Sequence, residues 1–338
     1  MQKQSDKLLE VENLHVSFST HGGEVHAVRG VSFDIHNGET FAVVGESGCG
    51  KSVTSLAVMG LISKPHGKIV GGSIRFKGKE LTNASPRNLR KIQGVNLSMI
   101  FQDPMTALNP TLTIGSQLTE GIIHQKKVSR KDAYQKAIEM LQMVGLSNAE
   151  QRMKQYPYQF SGGMRQRIVI AMALICEPDL IIADEPTTAL DVTIQAQILE
   201  LFDHIQKKTG VAMIMITHDL GVVAKIADRV AVMYAGKIVE TGSKRDIFYH
   251  AKHPYTQALL NAIVRIDLPS DTLKPIEGAP PDLFAPPEGC AFCERCPFAM
   301  EVCQHVQPPT TAAGENHAVA CWLLDKRADT IRHQVEIL

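Results

Sequence analysis

Apolar and polar residues alternate over the first 80 positions in short runs that are separated by glycine-bearing turns. The runs LHVSF, GVSFDI and GGSIRF show the two-residue period of half-buried strands, whereas TFAVVG is almost continuously apolar. We therefore expect a small antiparallel β layer that leads into one buried strand. The residues after Lys51 are compatible with a helix, so the buried strand should be followed by a glycine turn and a helix start.

The pattern changes from about Pro86 to Tyr158. The segment KDAYQKAIEMLQMVGL carries apolar residues at three- and four-residue spacing, and Gly145 is a typical helix stop. These features predict a helical subdomain, inserted at about residues 86–165.

Strand and helix patterns then alternate. The runs DLIIAD, VAMIMIT and RVAVMYAG are predicted strands, and IQAQILELFDHIQKK and GVVAKIA are predicted helices between them. Such alternation is typical of a parallel sheet with helices packed against it, so the fold class is expected to be α/β.

The composition shifts again after about Lys252. Nine of the 17 prolines lie between Pro269 and Pro309, so this region cannot be mostly helix or sheet. We predict one domain over residues 1–250 and an irregular C-terminal extension over residues 251–338.

Charge and hydropathy exclude several classes of protein. Lys+Arg and Asp+Glu both total 35, and this balance argues against a broad nucleic-acid surface. The longest apolar stretches fall short of the roughly 18 residues that a membrane-spanning helix needs. The start MQKQSDKLLEVENL has no apolar core or cleavage site of a signal peptide, so we expect the chain to stay in the cytosol. Its seven cysteines are then expected to be thiols or metal ligands rather than disulfides.

One glycine-rich segment predicts a phosphate-binding loop, or P-loop. It fits GxxxxGK followed by Ser or Thr at every fixed position and consists of Gly45, Glu46, Ser47, Gly48, Cys49, Gly50, Lys51 and Ser52. The apolar strand before it and the helix pattern after it favour this interpretation over a chance glycine turn. Lys51 should neutralise the β- and γ-phosphates of a bound ATP, and Ser52 should hold Mg²⁺.

A pair of carboxylates follows the apolar run LIIA. Asp184 is the candidate for binding Mg²⁺, and Glu185 is the candidate for orienting or deprotonating the attacking water. Open parallel sheets place their ligand sites at the C-terminal ends of strands, where this pair is expected. The alternative role for Glu185 is to cap the following turn.

A second anion-binding helix start is predicted in FSGGMRQR. Ser161 is a natural N-cap, and Gly162 and Gly163 leave backbone N–H groups open. Since one P-loop already provides a cradle for the γ-phosphate, we interpret this second helix start as facing a nucleotide that a partner chain holds.

These motifs, with three further elements, resemble the ATP-binding cassette (ABC) ATPases, which are P-loop proteins. The further elements are Gln102 in FQDP, Asp191 in TALD and His218 in MITHD, and all occur in the family's order and spacing. The resemblance covers roughly residues 8–250. It implies a head-to-tail dimer that holds two ATP molecules, each between the P-loop of one chain and the Ser161 loop of the other.

The resemblance also implies roles for single residues. Gln102 would sense the γ-phosphate and Mg²⁺, His218 would contact the γ-phosphate, and Asp191 would face the other subunit. Phe18 stands where the family carries an aromatic residue that stacks on adenine. Taken alone, His218 could equally be a structural histidine, Gln102 a loop amide and Phe18 a core side chain.

Five cysteines crowd into the proline-rich extension, in the spacing Cys290-x2-Cys293-x2-Cys296-x6-Cys303-x17-Cys321. The segment has few apolar groups for a core of its own, so it needs a staple. Thiolate ligands suit zinc or an iron–sulfur cluster, and free cysteines are the remaining alternative.

The extension resembles that of dipeptide and oligopeptide importer ATPases, and dipeptide permease ATPases most of all. The resemblance is carried by KHPYTQALL, EGAPPDL, GCAFCERCPFAMEVC and VACWL. It implies a 4Fe-4S cluster, with Zn²⁺ as the alternative, on Cys290, Cys296, Cys303 and Cys321. Cys293 departs from the family's usual pattern, which leaves the choice of four ligands open.

The same resemblance implies partners and a location. The complex would contain a second ABC ATPase, two membrane-spanning permeases and an extracytoplasmic peptide-binding protein. The second ATPase is expected to be a sister chain rather than an identical one. The chain would lie on the cytoplasmic face of a bacterial cell membrane as a peripheral subunit. The alternatives are an importer for nickel or another solute, a cassette protein of translation or DNA repair, and an iron–sulfur sensor.

Overall fold

A computed structural model describes residues 7–188, 190–262 and 276–328 of the chain. The strands are β1 (Lys7–Thr20), β2 (Gly23–His36), β3 (Thr40–Val44), β4 (Gly67–Phe76), β5 (Lys79–Glu80), β6 (Leu97–Ile100), β7 (Leu180–Asp184), β8 (Ala212–Thr217), β9 (Arg229–Tyr234), β10 (Lys237–Ser243), β11 (Thr310–Ala312) and β12 (Ala318–Ala320). The helices are α1 (Lys51–Val58), α2 (Pro86–Leu89), α3 (Pro104–Ala107), α4 (Ile114–Lys126), α5 (Arg130–Met143), α6 (Ala149–Arg152), α7 (Gly162–Leu174), α8 (Val192–Thr209), α9 (Leu220–Ile226), α10 (Lys244–Tyr249), α11 (Pro254–Asn261) and α12 (Glu301–His305).

The chain divides into two compact units. The first contains residues 35–40 and 76–216 with the start of β1, and the second contains residues 10–34, 41–75 and those from 217 onward. The described parts of the C-terminal extension therefore belong to the same unit as the P-loop. The boundary that we place at residue 250 stays a prediction. Residues 1–6 at the chain start, Pro269 and Pro275 lie outside the described residues.

Three parallel strands form the sheet of the first unit, in the order β6, β7, β8. Every residue of β7 and β8 is buried, which explains their continuous apolar sequences. Helix α7 contacts β6, α4, α5 and α8, so it joins the helical insert to the sheet. The strands and the helix predicted here are confirmed, within one or two residues, as β7, β8 and α8.

Strand β6 is the main difference from the sequence pattern, because it lies within the segment that we interpreted as a helical insert. It pairs in register with β7, from Leu97 opposite Leu180 to Ile100 opposite Ala183. Its four residues are too few for periodicity to separate a strand from a helix turn. The insert around it is helical, as predicted, and the predicted stop at Gly145 follows the end of α5.

The second unit contains two layers of strands. In one, β2, β1 and β4 are neighbours, and a two-residue turn joins β1 to β2, which makes that pair antiparallel. In the other, the order is β11, β12, β10, β9, β3, where β3 and β9 are parallel and the remaining pairs are antiparallel. Strands β11 and β12 come from the extension, so it adds a hairpin to this sheet.

A buried carboxylate fixes the extension to β10. Glu240 is fully buried and accepts hydrogen bonds from the backbone N–H groups of Lys252, at 2.7 Å, and His253, at 3.0 Å. The ring of His317 lies 2.7 Å from the same carboxylate, between Nε2 and Oε1. Three partners therefore offset the cost of burying this group, and two of the three lie beyond residue 252.

Among the described residues, no helix is both long and apolar enough to cross a lipid bilayer.

Candidate active site

The P-loop connects the buried strand β3 to helix α1, as the sequence predicts. Two of its glycines are required by close backbone contacts, because a Cβ at Gly45 would collide with the carbonyl oxygen of Met233 and one at Gly50 with that of Ala27. Both also have positive φ angles, 151° at Gly45 and 99° at Gly50. The loop can therefore wrap closely only with glycine at these two positions.

Lys51 occupies the centre of this loop. Its Nζ donates hydrogen bonds to the carbonyl oxygens of Gly45, at 2.8 Å, and Glu46, at 2.9 Å. The residue is only 5% exposed, so its ammonium group lies inside the loop rather than in solvent. Ser52 is exposed in the first turn of α1, whose N-terminus adds a favourable partial charge for an anion.

Asp184 and Glu185 lie where β7 ends, beside the end of β6. Gln102 follows β6 by two residues, and its Nε2 donates a hydrogen bond to Oε2 of Glu185 at 3.1 Å. Thr188 Oγ1 donates to the same oxygen at 3.0 Å. Because parallel strands end at one edge of a sheet, the structure brings Gln102 and Glu185 together, two residues that the sequence separates by 83 positions.

The backbone of Glu185 is strained. Its φ angle is 47°, in the left-handed region that side chains other than glycine rarely adopt, while its N–H donates to the carbonyl of Ile216 at 2.9 Å. Strain of this kind concentrates at functional sites, where the surrounding structure holds a side chain in one position. Asp184 next to it is 8% exposed.

Ser161 caps α7, as predicted, and its Oγ accepts the N–H of Met164 at 3.4 Å. Asp191 caps α8 in the same way, with Oδ1 accepting the N–H of Ile194 at 2.9 Å. The two helix starts lie against each other, because a Cβ on Gly163 would fall 2.7 Å from Cγ2 of Ile194. Ser161, Gly162 and Asp191 are all exposed, so the predicted partner-facing residues share one accessible surface.

The remaining predicted nucleotide contacts are placed as follows. His218 is exposed directly after β8, and Asp219 beside it caps α9 by accepting the N–H of Gly221 at 2.8 Å. Phe18 is partly buried in β1 with its ring against the backbone of Gly67. His218, Phe18 and the P-loop belong to the second unit and the other predicted residues to the first. That the two sets serve one nucleotide stays a prediction.

The five clustered thiols line one small pocket in the extension. Burial raises the pKa of Cys290 to about 11 and the pKa values of Cys296 and Cys321 to about 12, and the neighbouring thiols add to each shift. The volume inside is about 10 Å³, close to what one water molecule needs.

Neither the volume nor the local geometry is that of a finished metal site. Within the described ranges, no three His, Cys, Asp or Glu side chains are arranged to hold a metal ion. The donor chemistry fits a thiolate-bound group, but the thiols would have to move apart to admit a cluster.

The sequence did not reveal the contacts between the extension and the P-loop. Arg295 donates two hydrogen bonds to the carboxylate of Glu46, at 2.7 and 2.9 Å, and Tyr255 accepts the backbone N–H of Glu46 at 2.9 Å. The hydrogen bonds to Glu46 raise the pKa of Arg295, and burial raises that of Tyr255. These pairs are more than 200 positions apart in sequence, and no periodic pattern indicates them.

The strand, P-loop and helix of the second unit are those of a P-loop nucleotide-binding protein. A model described as ABC transporter matches residues 28–188, and one described as oligopeptide/dipeptide transporter, C-terminal region, matches residues 239–303.

Several characterised proteins are similar over nearly the whole chain. The dipeptide transport ATP-binding protein DppD of Bacillus subtilis is 62% identical, with 96% of this chain and 97% of the relative covered. The oligopeptide transport ATP-binding protein OppD of Escherichia coli is 51% identical, with 91% and 90% covered.

A solved structure is also similar. It is the dimeric ATP-binding cassette MJ0796 bound to ADP and Pi, which is 26% identical in sequence and has a TM-score of 0.63. The match covers 70% of this chain and 99% of that chain. This chain belongs to the ABC transporter family, as one of its ATP-binding proteins, and it is an ATPase. The prediction of an ABC-type α/β fold is confirmed.

Proposed function

We propose that this chain is the ATP-hydrolysing subunit of a bacterial importer for dipeptides or oligopeptides. The observation that carries the proposal is the match of residues 239–303 to the oligopeptide/dipeptide transporter C-terminal region. This segment lies outside the part that the general ABC transporter model matches, so it narrows the class of transporter. The DppD and OppD relatives are dipeptide and oligopeptide transport ATP-binding proteins, which supports the same class of solute.

In this proposal the hydrolytic step divides among four residues. Lys51 neutralises phosphate charge, Glu185 orients or deprotonates the attacking water, and Gln102 positions the Glu185 carboxylate through the 3.1 Å hydrogen bond. His218 contacts the γ-phosphate. The strained backbone of Glu185 supports its role, because strain fixes the carboxylate before the substrate arrives.

Mg²⁺ would be held by oxygen donors of Ser52, Gln102 and Asp184. Hydroxyl, amide and carboxylate oxygens are the ligands that Mg²⁺ prefers, and Asp184 stands at the C-terminal end of a buried strand, where open parallel sheets place their ligand sites. The ion supplies neutralisation of the charge that develops on the phosphates.

The site is completed by a partner chain, which we take to be a sister ATPase rather than a second copy. The accessible surface formed by Ser161, Gly162 and Asp191 supports a site shared between two chains, as does the dimeric state of the similar cassette MJ0796.

The complex would also contain two membrane-spanning permeases and an extracytoplasmic peptide-binding protein, with this chain attached to the cytoplasmic face. The test is affinity purification of the tagged chain from solubilised membranes of its own bacterium, followed by uptake of a labelled dipeptide. We expect a second ATPase and two permeases to co-purify, and Lys51→Ala to abolish dipeptide uptake.

Uptake of an unrelated free amino acid is the control and should not change. Recovery of only soluble partners would favour a non-transport cassette protein, and loss of nickel uptake with normal dipeptide uptake would favour the related importer.

We further propose that the extension holds a 4Fe-4S cluster on Cys290, Cys296, Cys303 and Cys321. The convergence of the thiols on one pocket supports it, because cysteine side chains are the ligands of iron–sulfur clusters. Zn²⁺ held by the same four thiolates is the alternative.

If the cluster is present, protein purified without oxygen should contain iron and sulfide and absorb light at about 400 nm. Cys296→Ser should remove both. Cys176→Ser is the control, because this buried thiol follows α7 by two residues and does not line the pocket. One equivalent of zinc without iron would support the Zn²⁺ alternative, and protein free of both metals would refute the proposal.

A further inference from the structure

Glu46 is out of place in an anion-binding loop. The P-loop presents backbone N–H groups and the Lys51 ammonium to phosphate, and a carboxylate in the same loop carries the opposite preference. Its side chain is 24% exposed, so water screens it only in part. An uncompensated negative charge here would oppose a nucleotide, since like charges disfavour each other within a few ångströms.

Arg295 compensates that charge with a two-pronged contact. Its two terminal nitrogens bind the two carboxylate oxygens of Glu46 at 2.7 and 2.9 Å, and its side chain is 5% exposed. Paired hydrogen bonds of this kind fix the plane of the carboxylate as well as neutralising it. The contact therefore holds the Glu46 carboxylate in one direction.

The surroundings of Arg295 are specific to a guanidinium. Besides the two bonds to Glu46, it donates to Tyr234 Oη at 3.2 Å, to the carbonyl of Glu277 at 2.9 Å and to that of Ile276 at 3.3 Å. All five N–H donors of the side chain thus have acceptors. The guanidinium also lies over the rings of Tyr234 and Phe292, at 5.7 and 5.9 Å from their centroids.

The contact ties the P-loop to the cysteine-bearing turn. Arg295 ends the short 3₁₀ helix Cys293–Arg295, directly before Cys296, and two of the predicted ligands flank this turn. Tyr255 of α11 accepts the backbone N–H of Glu46, and its ring packs on Tyr234 at 4.5 Å and on Phe292 at 5.3 Å. Two side chains of the extension thus hold Glu46, since Arg295 binds its carboxylate and Tyr255 binds its backbone N–H.

We infer that Arg295 is a positioning residue for ATP binding: by neutralising and orienting Glu46, it keeps that carboxylate from opposing the phosphates in the P-loop. The inference rests on the proposed ATP site and assigns the extension a part in it. Arg295 itself need not touch the nucleotide. Its effect passes through Glu46, which makes a second-site test possible.

The test is an equilibrium titration of the full-length chain with the fluorescent nucleotide mant-ATP and Mg²⁺. Arg295→Gln removes the charge and should weaken binding about tenfold at low salt, since hydrogen bonds to charged groups are among the stronger ones. Adding Glu46→Gln to that variant should restore affinity to within about threefold of the Glu46→Gln single variant, because the opposing charge is then gone. The loss in Arg295→Gln should also shrink at high salt.

Two further variants make the comparison specific. Arg295→Lys keeps the charge but loses the two-pronged contact, so it should bind mant-ATP more tightly than Arg295→Gln and more weakly than the unmodified chain. If Arg295→Gln folds poorly, the comparison with and without Glu46→Gln is made on Arg295→Lys instead, and Glu46→Gln should again remove the loss. Arg327→Gln is the matched control, because Arg327 is 85% exposed and pairs with Asp325 in the same extension. It should bind as the unmodified chain does.

The inference is overturned if Arg295→Gln binds mant-ATP normally, or if Arg295→Lys binds no better than Arg295→Gln. It is also overturned if the double variant stays as weak as Arg295→Gln alone, since the arginine would then act only on the shape of the extension. Failure of the unmodified chain to bind mant-ATP at all would instead count against the proposed ATP site.

Discussion

Replacing Glu185 by glutamine should lower ATP turnover by about 100-fold or more while ATP still binds, because a general base commonly contributes 10² to 10⁴ in rate. Glutamine has nearly the same shape, and its carbonyl oxygen can accept the hydrogen bonds that Gln102 and Thr188 now donate. The substitution therefore removes the basic group and leaves the sheet edge in place. ATP occupancy without hydrolysis should also trap the paired state of the two ATPase subunits.

The measurement is phosphate release by the purified complex, with mant-ATP binding measured in parallel. Glu177→Gln is the matched control, because Glu177 also has a positive φ, 53°, but its exposed side chain pairs with Lys136 at 2.7 Å. That variant should hydrolyse ATP at the normal rate. Undiminished turnover in Glu185→Gln would remove Glu185 from the mechanism.

Ser161→Arg should strongly lower the rate of ATP hydrolysis at the P-loop of the partner chain. The substitution deletes the N-cap of α7 and puts a long side chain at the exposed helix start that we propose to face the partner's nucleotide. Loss of an oriented donor at a developing charge costs 10² or more in rate in known cases, and we expect at least about a tenfold loss here. Binding of ATP to this chain's own P-loop should persist.

A matched control exists in the same unit. Ser129 caps α5 with the same extended backbone, and its Oγ accepts the N–H of Asp132 at 3.2 Å. Ser129→Arg therefore removes a comparable N-cap without changing the proposed shared site, and the rate of ATP hydrolysis should stay near normal. If Ser161→Arg and Ser129→Arg complexes hydrolyse ATP equally well, the shared site is wrong.

The parts of the site that sequence could predict are those encoded within a few residues of one another. The order of buried strand, glycine turn and helix around Lys51 is local, and so is the pair Asp184 and Glu185 after an apolar strand. N-caps are local too, and Ser161, the predicted N-cap, does cap α7.

The remaining features depend on residues that meet only in the folded chain. Gln102 reaches Glu185 because β6 and β7 are neighbours, and the sequence pattern of β6 is too short to be recognised as a strand. Arg295 reaches Glu46 across 249 positions. Neither hydrophobic period nor motif spacing carries information over such distances, so these partners could not be predicted.

Phe18 has a structural contact as well as a predicted role in binding adenine. Its ring lies against Gly67 at the start of β4, which the sequence could not indicate, and this contact alone would explain a partly buried phenylalanine. Stacking on adenine stays a prediction. It requires one face of the ring to stay accessible, which partial burial allows.

The hairpin of β11 and β12 protects an edge of the sheet, and this protection affects the solubility of the chain. Strand β12 pairs antiparallel with β10, from Glu240 opposite Val319 to Thr241 opposite Ala318, and covers the side of β10 that β9 does not occupy. A chain shortened to residue 250 would present that side as an open strand edge, with the Glu240 carboxylate stripped of its partners beyond that point. Open edges recruit strands from other molecules, so the shortened chain would tend to self-associate and precipitate.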